Sequence, residues 1–159
     1  MTYRVLFEKW KLSSLKLNLK FLEAEFTADA ADEEAAWEMY VELITRITTQ
    51  RLEYGDEKTA LDSVYSLFKT TRDVLTRRGR KARSFTKIAV VVLNQVVRPF
   101  TAKWHKLSLE GAFENPARCD EFRSDLKALQ DELRSYSAML ADLAKVEDIT
   151  AITAEDCQG

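Results

Sequence analysis

Hydrophobic residues recur every three to four positions through most of the 159-residue chain, and glycines mark where one run stops and the next starts. Gly55, Gly79 and Gly111 are the internal glycines, and no glycine or proline interrupts residues 1–54. Spacing of three and four residues places side chains on one face of an α-helix. The pattern therefore predicts an all-α protein, an antiparallel up-and-down bundle of four main helices preceded by a short N-terminal segment.

The N-terminal segment carries two overlapping patterns. Helical steps of three and four connect Leu12, Leu15, Leu19, Leu22 and Phe26. A strand-like alternation connects Leu15, Leu17, Leu19 and Phe21, which could form a hairpin with Tyr3, Val5 and Phe7. We favour the helix, because its spacing persists longer and residues 23–25 (Glu-Ala-Glu) are good helix formers. The hairpin is the alternative.

Aspartates that can cap a helix precede the next two apolar stripes. Asp29 or Asp32 is expected to cap a helix whose buried face carries Trp37, Tyr40, Val41, Ile44 and Ile47. Asp56 is expected to cap the following helix, whose buried face carries Leu61, Val64, Tyr65, Phe68 and Leu75. Gly79 predicts a left-handed stop at the end of that helix.

The last two helices flank a predicted loop at residues 110–116. The helix before the loop has a broad apolar stripe with Pro99 inside it, so we expect a bend there and not a break. The helix after the loop has a repeat of four and three residues, through Phe122, Leu126, Leu129, Leu133, Tyr136, Leu140 and Leu143. This repeat is typical of a coiled-coil seam.

Composition is ordinary for one domain with a hydrophobic core. Residues 1–146 are expected to form the domain, and residues 147–159 an acidic tail that frays. The formal net charge of −2 predicts no bulk attraction for nucleic acid or membranes. The two cysteines form no disulfide framework, which favours a reducing, cytoplasmic compartment. No apolar run approaches the roughly 20 residues of a membrane-spanning helix.

Residues with catalytic potential are few. His105 is the single histidine, and no cysteine lies beside it at the spacing of a zinc site. A Cys–His pair would have to join Cys119 to His105 across the predicted loop. The chain has neither a Gly-rich phosphate loop nor the Glu-x-x-His signature of di-metal bundles. We therefore expect no metal and no cofactor, and favour a protein that is not an enzyme.

A polar stripe on the helix that contains Pro99 is the main candidate site. Steps of four, three and four residues separate Asn94, Arg98, Thr101 and His105. Lys103 and Trp104 lie beside this stripe, and partly exposed Arg and Trp side chains are typical anchors of protein interfaces. The stripe is therefore interpreted as a surface for a partner or ligand, although its residues also suit a purely structural role.

Two residues of the second helix enter the same hypothesis. Glu42 precedes Arg46 by four residues, the favourable order for an intrahelical ion pair. In the structural interpretation, Arg98 pairs with an acid on this helix, such as Glu42. In the functional alternative, both residues converge with Arg98 and His105 in a pocket for a small ligand or a reaction.

A basic cluster follows the third helix. Within seven residues the chain has five cations, Arg77, Arg78, Arg80, Lys81 and Arg83. They could contact the phosphates of a nucleic acid. They also suit a solvated helix end, because basic side chains complement the negative end of the helix dipole. No aromatic residue is interleaved with them, so we favour the second interpretation.

Three strings carry a resemblance: AAWEMYVELITRITTQ (35–50), ALDSVYSLFKTTRDVL (60–75) and VLNQVVRPFTAKWH (92–105). They resemble small uncharacterised bacterial proteins encoded in gene clusters for conflict and anti-phage defence. The resemblance implies a bacterial cytoplasmic origin and an accessory or adaptor role, and it carries over no catalytic residue. It singles out Trp37, Glu42, Arg46, Gln50, Arg72, Asn94, Arg98, Pro99, Lys103, Trp104 and His105.

The leading hypothesis is a non-enzymatic interaction, adaptor or regulatory module. It would bind a protein partner, or a second copy of itself, through the seam of the last helix and the Arg98–Trp104 region. The alternatives are a nucleic-acid-binding protein that uses the Arg77–Arg83 cluster, and a small-ligand sensor or enzyme with a polar site between helices.

Overall fold

The computed structural model describes residues 1–12, 20–46 and 56–151. The helices are α1 (Tyr3–Lys9), α2 (Ala30–Ile44), α3 (Glu57–Arg78), α4 (Arg83–Val92), α5 (Arg98–Leu109) and α6 (Pro116–Ala144). A π turn at Leu93–Val97 joins α4 to α5, and a short 3₁₀ turn at Ala112–Glu114 precedes α6. Apart from one isolated bridge, Thr2–Glu25, the described ranges contain no β-structure. Four long rods, α2, α3, α4–α5 and α6, thus follow the short α1, which confirms the predicted all-α bundle.

Contacts between the rods show that successive rods run antiparallel. Each of three contacts joins the first half of one rod to the second half of its neighbour: Glu34–Arg78, Tyr65–His105 and Lys103–Asp125. The rods therefore alternate up and down, as the short connections between them predict. As a result α2 and α4 run parallel, with their N-termini side by side.

The N-terminal segment forms a helix, but at an earlier position than its longer apolar pattern predicts. α1 spans Tyr3–Lys9 and is capped by Thr2, whose Oγ1 accepts from the backbone N–H of Val5 at 3.3 Å. A hairpin through residues 3–7 is therefore excluded. Residues 20–26 form turns and extended backbone, so the expected helix is wrong over that range, while residues 13–19 lie outside the described part.

The first turn of α1 explains why residues 20–26 are not helical. Its N–H groups have no partner within their own helix. Those of Tyr3 and Arg4 donate instead to the carbonyl oxygens of Ala24 and Leu22, at 3.2 and 2.9 Å. Leu22 is buried by this docking. Its hydrophobic character therefore reflects burial against α1 and not a helical face.

Asp32 links the N-termini of α2 and α4. Asp29 is the cap of α2 and forms a reciprocal capping box with Asp32. The buried Asp32 carboxylate accepts from the backbone N–H of Asp29 at 3.0 Å and from that of Phe85 at 2.9 Å. The residue before α4, Ala82, offers no capping side chain of its own. Asp32 thus caps α4 from another helix. The expected cap of α3, Asp56, is confirmed, because it accepts from the N–H of Thr59.

The rod α4–α5 continues through Pro99, as expected, but its local distortion is a π turn. The N–H of Arg98 donates to the carbonyl of Leu93, five residues earlier. A wider turn of this kind accommodates a proline that cannot donate to the residue four places before it. Val96 and Val97 are both buried, since the turn lets neighbouring residues face the core.

The predicted seam of α6 is confirmed as the centre of the core. Its first six members, Phe122 to Leu140, are buried, and Leu143 is half-buried. The seam is therefore occupied by the other helices of the same chain. Two aromatic residues assigned to the core are instead exposed, namely Trp37 (46%) and Tyr65 (52%). On α2, the small residues Ala35 and Ala36 face the core of the bundle in place of Trp37.

The end of α3 and the residues after α6 also differ from expectation. Gly79 has right-handed dihedral angles (φ −62°, ψ −28°), so the predicted left-handed stop is wrong. A Cβ atom there would lie 2.5 Å from the carbonyl oxygen of Leu75, which explains the glycine. Beyond α6, the described residues 147–151 do not fray freely. Tyr40 donates its hydroxyl to Asp148 at 3.1 Å and accepts from the N–H of Ile149 at 2.8 Å.

Among the helices of the described ranges, none combines the length and the apolar character that crossing a membrane requires.

Candidate functional site

Trp104 is completely buried, so the expectation of a partly exposed interface tryptophan is wrong. Its indole stacks on Phe113, with ring centroids 6.1 Å apart and planes 16° apart, and meets Phe122 edge-on at 5.1 Å. The Nε1–H donates to Oδ2 of Asp125 at 3.1 Å. Trp104 therefore acts as an anchor between α5, the 3₁₀ turn and α6.

Lys103 lies outside this anchor and is tied to α6. Its ammonium group donates to Asp125 at 2.7 Å and to Glu121 at 3.1 Å. The hydrogen bonds with Asp125 and Glu121 raise the pKa of Lys103 above its ordinary value. The charge of Lys103 is thus compensated by acids of the same chain. Both Trp104 and Lys103 therefore hold α5 against α6.

Arg98 is exposed and lies over a ring of the neighbouring helix. Its guanidinium carbon is 4.8 Å from the ring centroid of Phe68, and its Nε donates to the Asn94 side chain at 3.0 Å. The expected pair with Glu42 is not formed, because Glu42 binds Arg46 at 2.8 Å. The side chain of Arg98 is therefore exposed and held in place by Asn94 and Phe68.

His105 completes this surface together with two residues that the sequence did not single out as a site. Its imidazole contacts the edge of Tyr65, with ring centroids 4.7 Å apart. One turn later, Leu109 is 90% exposed, and both residues line an open concavity of about 400 Å³. Tyr65 also contacts Phe68, and the ring of Phe68 contacts the guanidinium group of Arg98. We call the group Tyr65, Asn94, Arg98, His105 and Leu109 the α3–α5 surface.

The residues of this surface differ in how far the sequence could reveal them. Asn94, Arg98 and His105 were predicted from their polar spacing. Tyr65 was assigned to the core because it follows the apolar stripe of α3. Leu109 precedes the Glu110–Gly111 turn, and its position at a helix end was the available signal for exposure.

Glu42 and Arg46 form their own pair on α2. Among the described residues, no hydrogen bond or ion pair joins them to Arg98 or His105. One terminal nitrogen of Arg46, Nη1, is buried without a hydrogen-bond partner. The structure therefore does not bring the four residues of the predicted ligand pocket into one constellation.

The basic cluster divides into two groups. Arg77 binds Glu38 at 3.0 Å, and Arg78 binds both Glu38 and Glu34. These two arginines join the end of α3 to α2. Arg80, Lys81 and Arg83 form the second group, which is exposed around the α3–α4 loop. No acid of the described ranges is ion-paired with this second group.

The ion pairs of the first group predict a pH dependence of stability. Burial raises the pKa of Glu38, but hydrogen bonds from Arg78 and Arg77 outweigh it and lower the pKa below the ordinary 4.5. A carboxyl group with a lowered pKa stabilises the fold above 4.5, and this contribution is lost as the pH falls through the lower folded-state value. Glu38→Gln should therefore lower the free energy of unfolding by up to about 1 kcal/mol at neutral pH.

Urea unfolding of wild type and Glu38→Gln across a pH series measures this difference. We expect it to be constant above the ordinary carboxyl pKa and to vanish at lower pH. Glu8→Gln, at another exposed position, provides the control and should show little change. A Glu38→Gln deficit that grows on acidification would contradict the assignment.

Cys119 has the features of a structural thiol. Its Sγ–H donates to the carbonyl of Phe113 at 3.3 Å. Burial, followed by the charge of Glu57, raises the pKa of the thiol, which disfavours the nucleophilic thiolate. Within residues 1–12, 20–46 and 56–151, no three His, Cys, Asp or Glu side chains are grouped to hold a metal ion.

Comparisons with known proteins leave the function to be argued from this geometry. The resemblance to proteins of bacterial defence gene clusters accordingly stays a prediction. No protein family, no characterised protein and no solved structure matches the chain significantly.

Proposed function

We propose that the protein is a non-enzymatic, cytoplasmic interaction module that binds a protein partner through the α3–α5 surface. The observation that carries this proposal is an exposed tyrosine held in place by a ring contact with His105, together with an almost fully exposed leucine one helical turn after His105. Exposed large apolar side chains that cluster on a surface commonly mark sites of association. Tyr and Arg are also the residue types that dominate binding energy at interfaces.

Ring contacts reduce the cost of binding at this surface. Tyr65 is held between His105 at 4.7 Å and Phe68 at 5.5 Å, and Arg98 is held by Phe68 and Asn94. Side chains ordered before binding lose less conformational entropy when a partner arrives. The surface therefore supports association.

The charges of the surface specify the chemistry of the partner. Arg98 is exposed, and a carboxylate is the group that binds the terminal nitrogens of a guanidinium group in bidentate fashion. Leu109 needs an apolar side chain to cover it. We therefore propose a partner with an acidic segment next to an apolar residue. The resemblance to defence proteins adds the proposal that this partner is encoded in the same gene cluster.

Two surface substitutions test this function. Tyr65→Ala and Leu109→Asp should each weaken binding of the captured partner by about 10–100-fold, because each removes a central contact. The measurement is capture from the native host with tagged protein, followed by a binding titration with the identified partner. Sedimentation of the protein alone shows whether that partner is a second copy.

Matched substitutions on other faces serve as controls. Trp37→Ala removes an aromatic side chain of similar exposure, and Val90→Asp places an acid at another exposed apolar position. Both should leave partner binding unchanged. If Trp37→Ala and Tyr65→Ala weaken binding equally, the partner does not use the α3–α5 surface.

A further inference from the structure

The chain carries an uneven distribution of charge that its net charge of −2 conceals. Residues 74–109 contain nine Lys or Arg residues and no Asp or Glu. The segment begins near the end of α3 and spans the α3–α4 loop, α4 and α5. The remainder of the chain is correspondingly acidic. Charge of one sign concentrated on one part of a surface attracts ligands of the opposite sign.

Only part of this positive charge is available to a ligand. Arg77 and Arg78 bind acids of α2, and Lys103 binds acids of α6. Arg80, Lys81 and Arg83 have no such ion pair among the described residues, and all three are exposed. Three cations thus project from four consecutive positions of the α3–α4 loop and the start of α4. We call this group the loop cations.

The loop cations line two open concavities. One has a volume of about 660 Å³ and lies against the start of α2, and the other has about 650 Å³ and extends toward Arg77 and Arg78. Both are lined by Ala31, Arg80 and Lys81. The α2 side contributes small side chains, which leave room for a large ligand to approach the cations closely.

The acids of these concavities are already engaged. Both carboxylate oxygens of Asp32 accept backbone N–H groups, and one oxygen of Asp29 does so as well. Glu34 is bound by Arg78. These carboxylates are held in place by the fold, and among the described residues none of them forms an ion pair with a loop cation.

We propose that the loop cations bind the phosphate backbone of duplex nucleic acid without sequence preference. Proteins that hold single strands stack bases on aromatic side chains, and no residue lining the two concavities is aromatic. Protein interfaces are built on apolar and aromatic cores, and none of the exposed large hydrophobic side chains lines them either. Cations that have neither aromatic nor large apolar side chains beside them suit contacts to phosphates alone.

This site goes beyond the proposed protein-binding function and is separate from it. Tyr65 and Arg78 are 13 residues apart on α3, which corresponds to about 20 Å along the helix. The α3–α5 surface and the loop cations are therefore separated along the length of the bundle. The module would bridge a protein at one end and a duplex at the other.

Fluorescence anisotropy with a labelled mixed-sequence duplex of about 20 base pairs, two helical turns, tests the proposal. Three phosphate contacts predict that wild-type affinity falls by about 40-fold between about 50 and 200 mM salt. The triple variant Arg80→Ala/Lys81→Ala/Arg83→Ala should bind at least about 10-fold more weakly at the lower salt concentration and lose most of this salt dependence.

A second triple variant distinguishes an effect of the loop cations from an effect of the net charge of the protein. Lys69→Ala/Lys106→Ala/Lys127→Ala removes three exposed cations elsewhere and changes the net charge equally. It should retain duplex binding, as should Tyr65→Ala, which tests the other end. Three results would overturn the proposal: no binding at the lower salt concentration, equal losses in both triple variants, or equal competition by polyglutamate, which would indicate an acidic protein ligand.

Discussion

Trp104→Ala is expected to lower the free energy of unfolding by about 3–5 kcal/mol, the usual cost of removing a large aromatic side chain from a core. The indole has no exposed surface and contacts two aromatic rings, Phe113 and Phe122. Its removal leaves a cavity where α5, the 3₁₀ turn and α6 meet. Urea unfolding followed by circular dichroism measures the loss, provided that the dependence on urea concentration is unchanged.

Trp104→Phe separates packing from hydrogen bonding at this position. Phenylalanine keeps most of the apolar ring but cannot donate to Asp125, which retains its hydrogen bond from Lys103. We expect a smaller loss, of about 1–2 kcal/mol. If Trp104→Ala costs less than about 0.5 kcal/mol, the range of ordinary surface changes, the burial of this residue is wrong.

Asp32→Ala is expected to cost about 2–4 kcal/mol, because it removes a buried acceptor shared by two helices. The buried N–H of Phe85, at the start of α4, would lose its acceptor, and Ala82 has no side-chain oxygen to replace it. The N–H of Asp29 loses its partner as well. Urea unfolding gives the stability, and amide hydrogen exchange at Phe85 should report faster opening of the first turn of α4.

Asp29→Ala is the matched comparison for Asp32. It removes an exposed cap of α2 alone and should cost about 1 kcal/mol. Asp32→Asn keeps the size of the side chain and one acceptor oxygen, so its effect should be intermediate. Equal costs for Asp29→Ala and Asp32→Ala would show that the link to Phe85 contributes nothing.

The sequence predicts the fold most reliably where burial and helical period coincide. In α6 the repeat of four and three residues identifies the buried seam, because other helices surround one continuous face. In α2 the same reasoning misplaces Trp37. Close packing of α2 against its neighbours requires small residues, so Ala35 and Ala36 face inward. The spacing of apolar residues alone does not indicate that alanines, and not the neighbouring tryptophan, face the core at the edge of a stripe.

Contacts between distant segments account for the other differences. The backbone of residues 20–26 is held by α1, and Asp32 serves a helix that starts more than fifty residues later. For the candidate site, the polar spacing identifies Asn94, Arg98 and His105. Trp104 lies four residues after the buried Phe100 of the apolar stripe, so its inward position follows the helical period, and only its interpretation as a partly exposed interface anchor is wrong.

The extra residue in the turn at Leu93–Val97 has a consequence for how the sequence can diverge. Each residue rotates an α-helix by about 100°, so removing one residue here would swing all of α5 around its axis. Trp104 would leave its aromatic neighbours, and Arg98 and Leu109 would point in new directions. Insertions and deletions should therefore be excluded from this stretch. The orientation of α5 about its own axis, relative to α4, is thus set by a single additional residue.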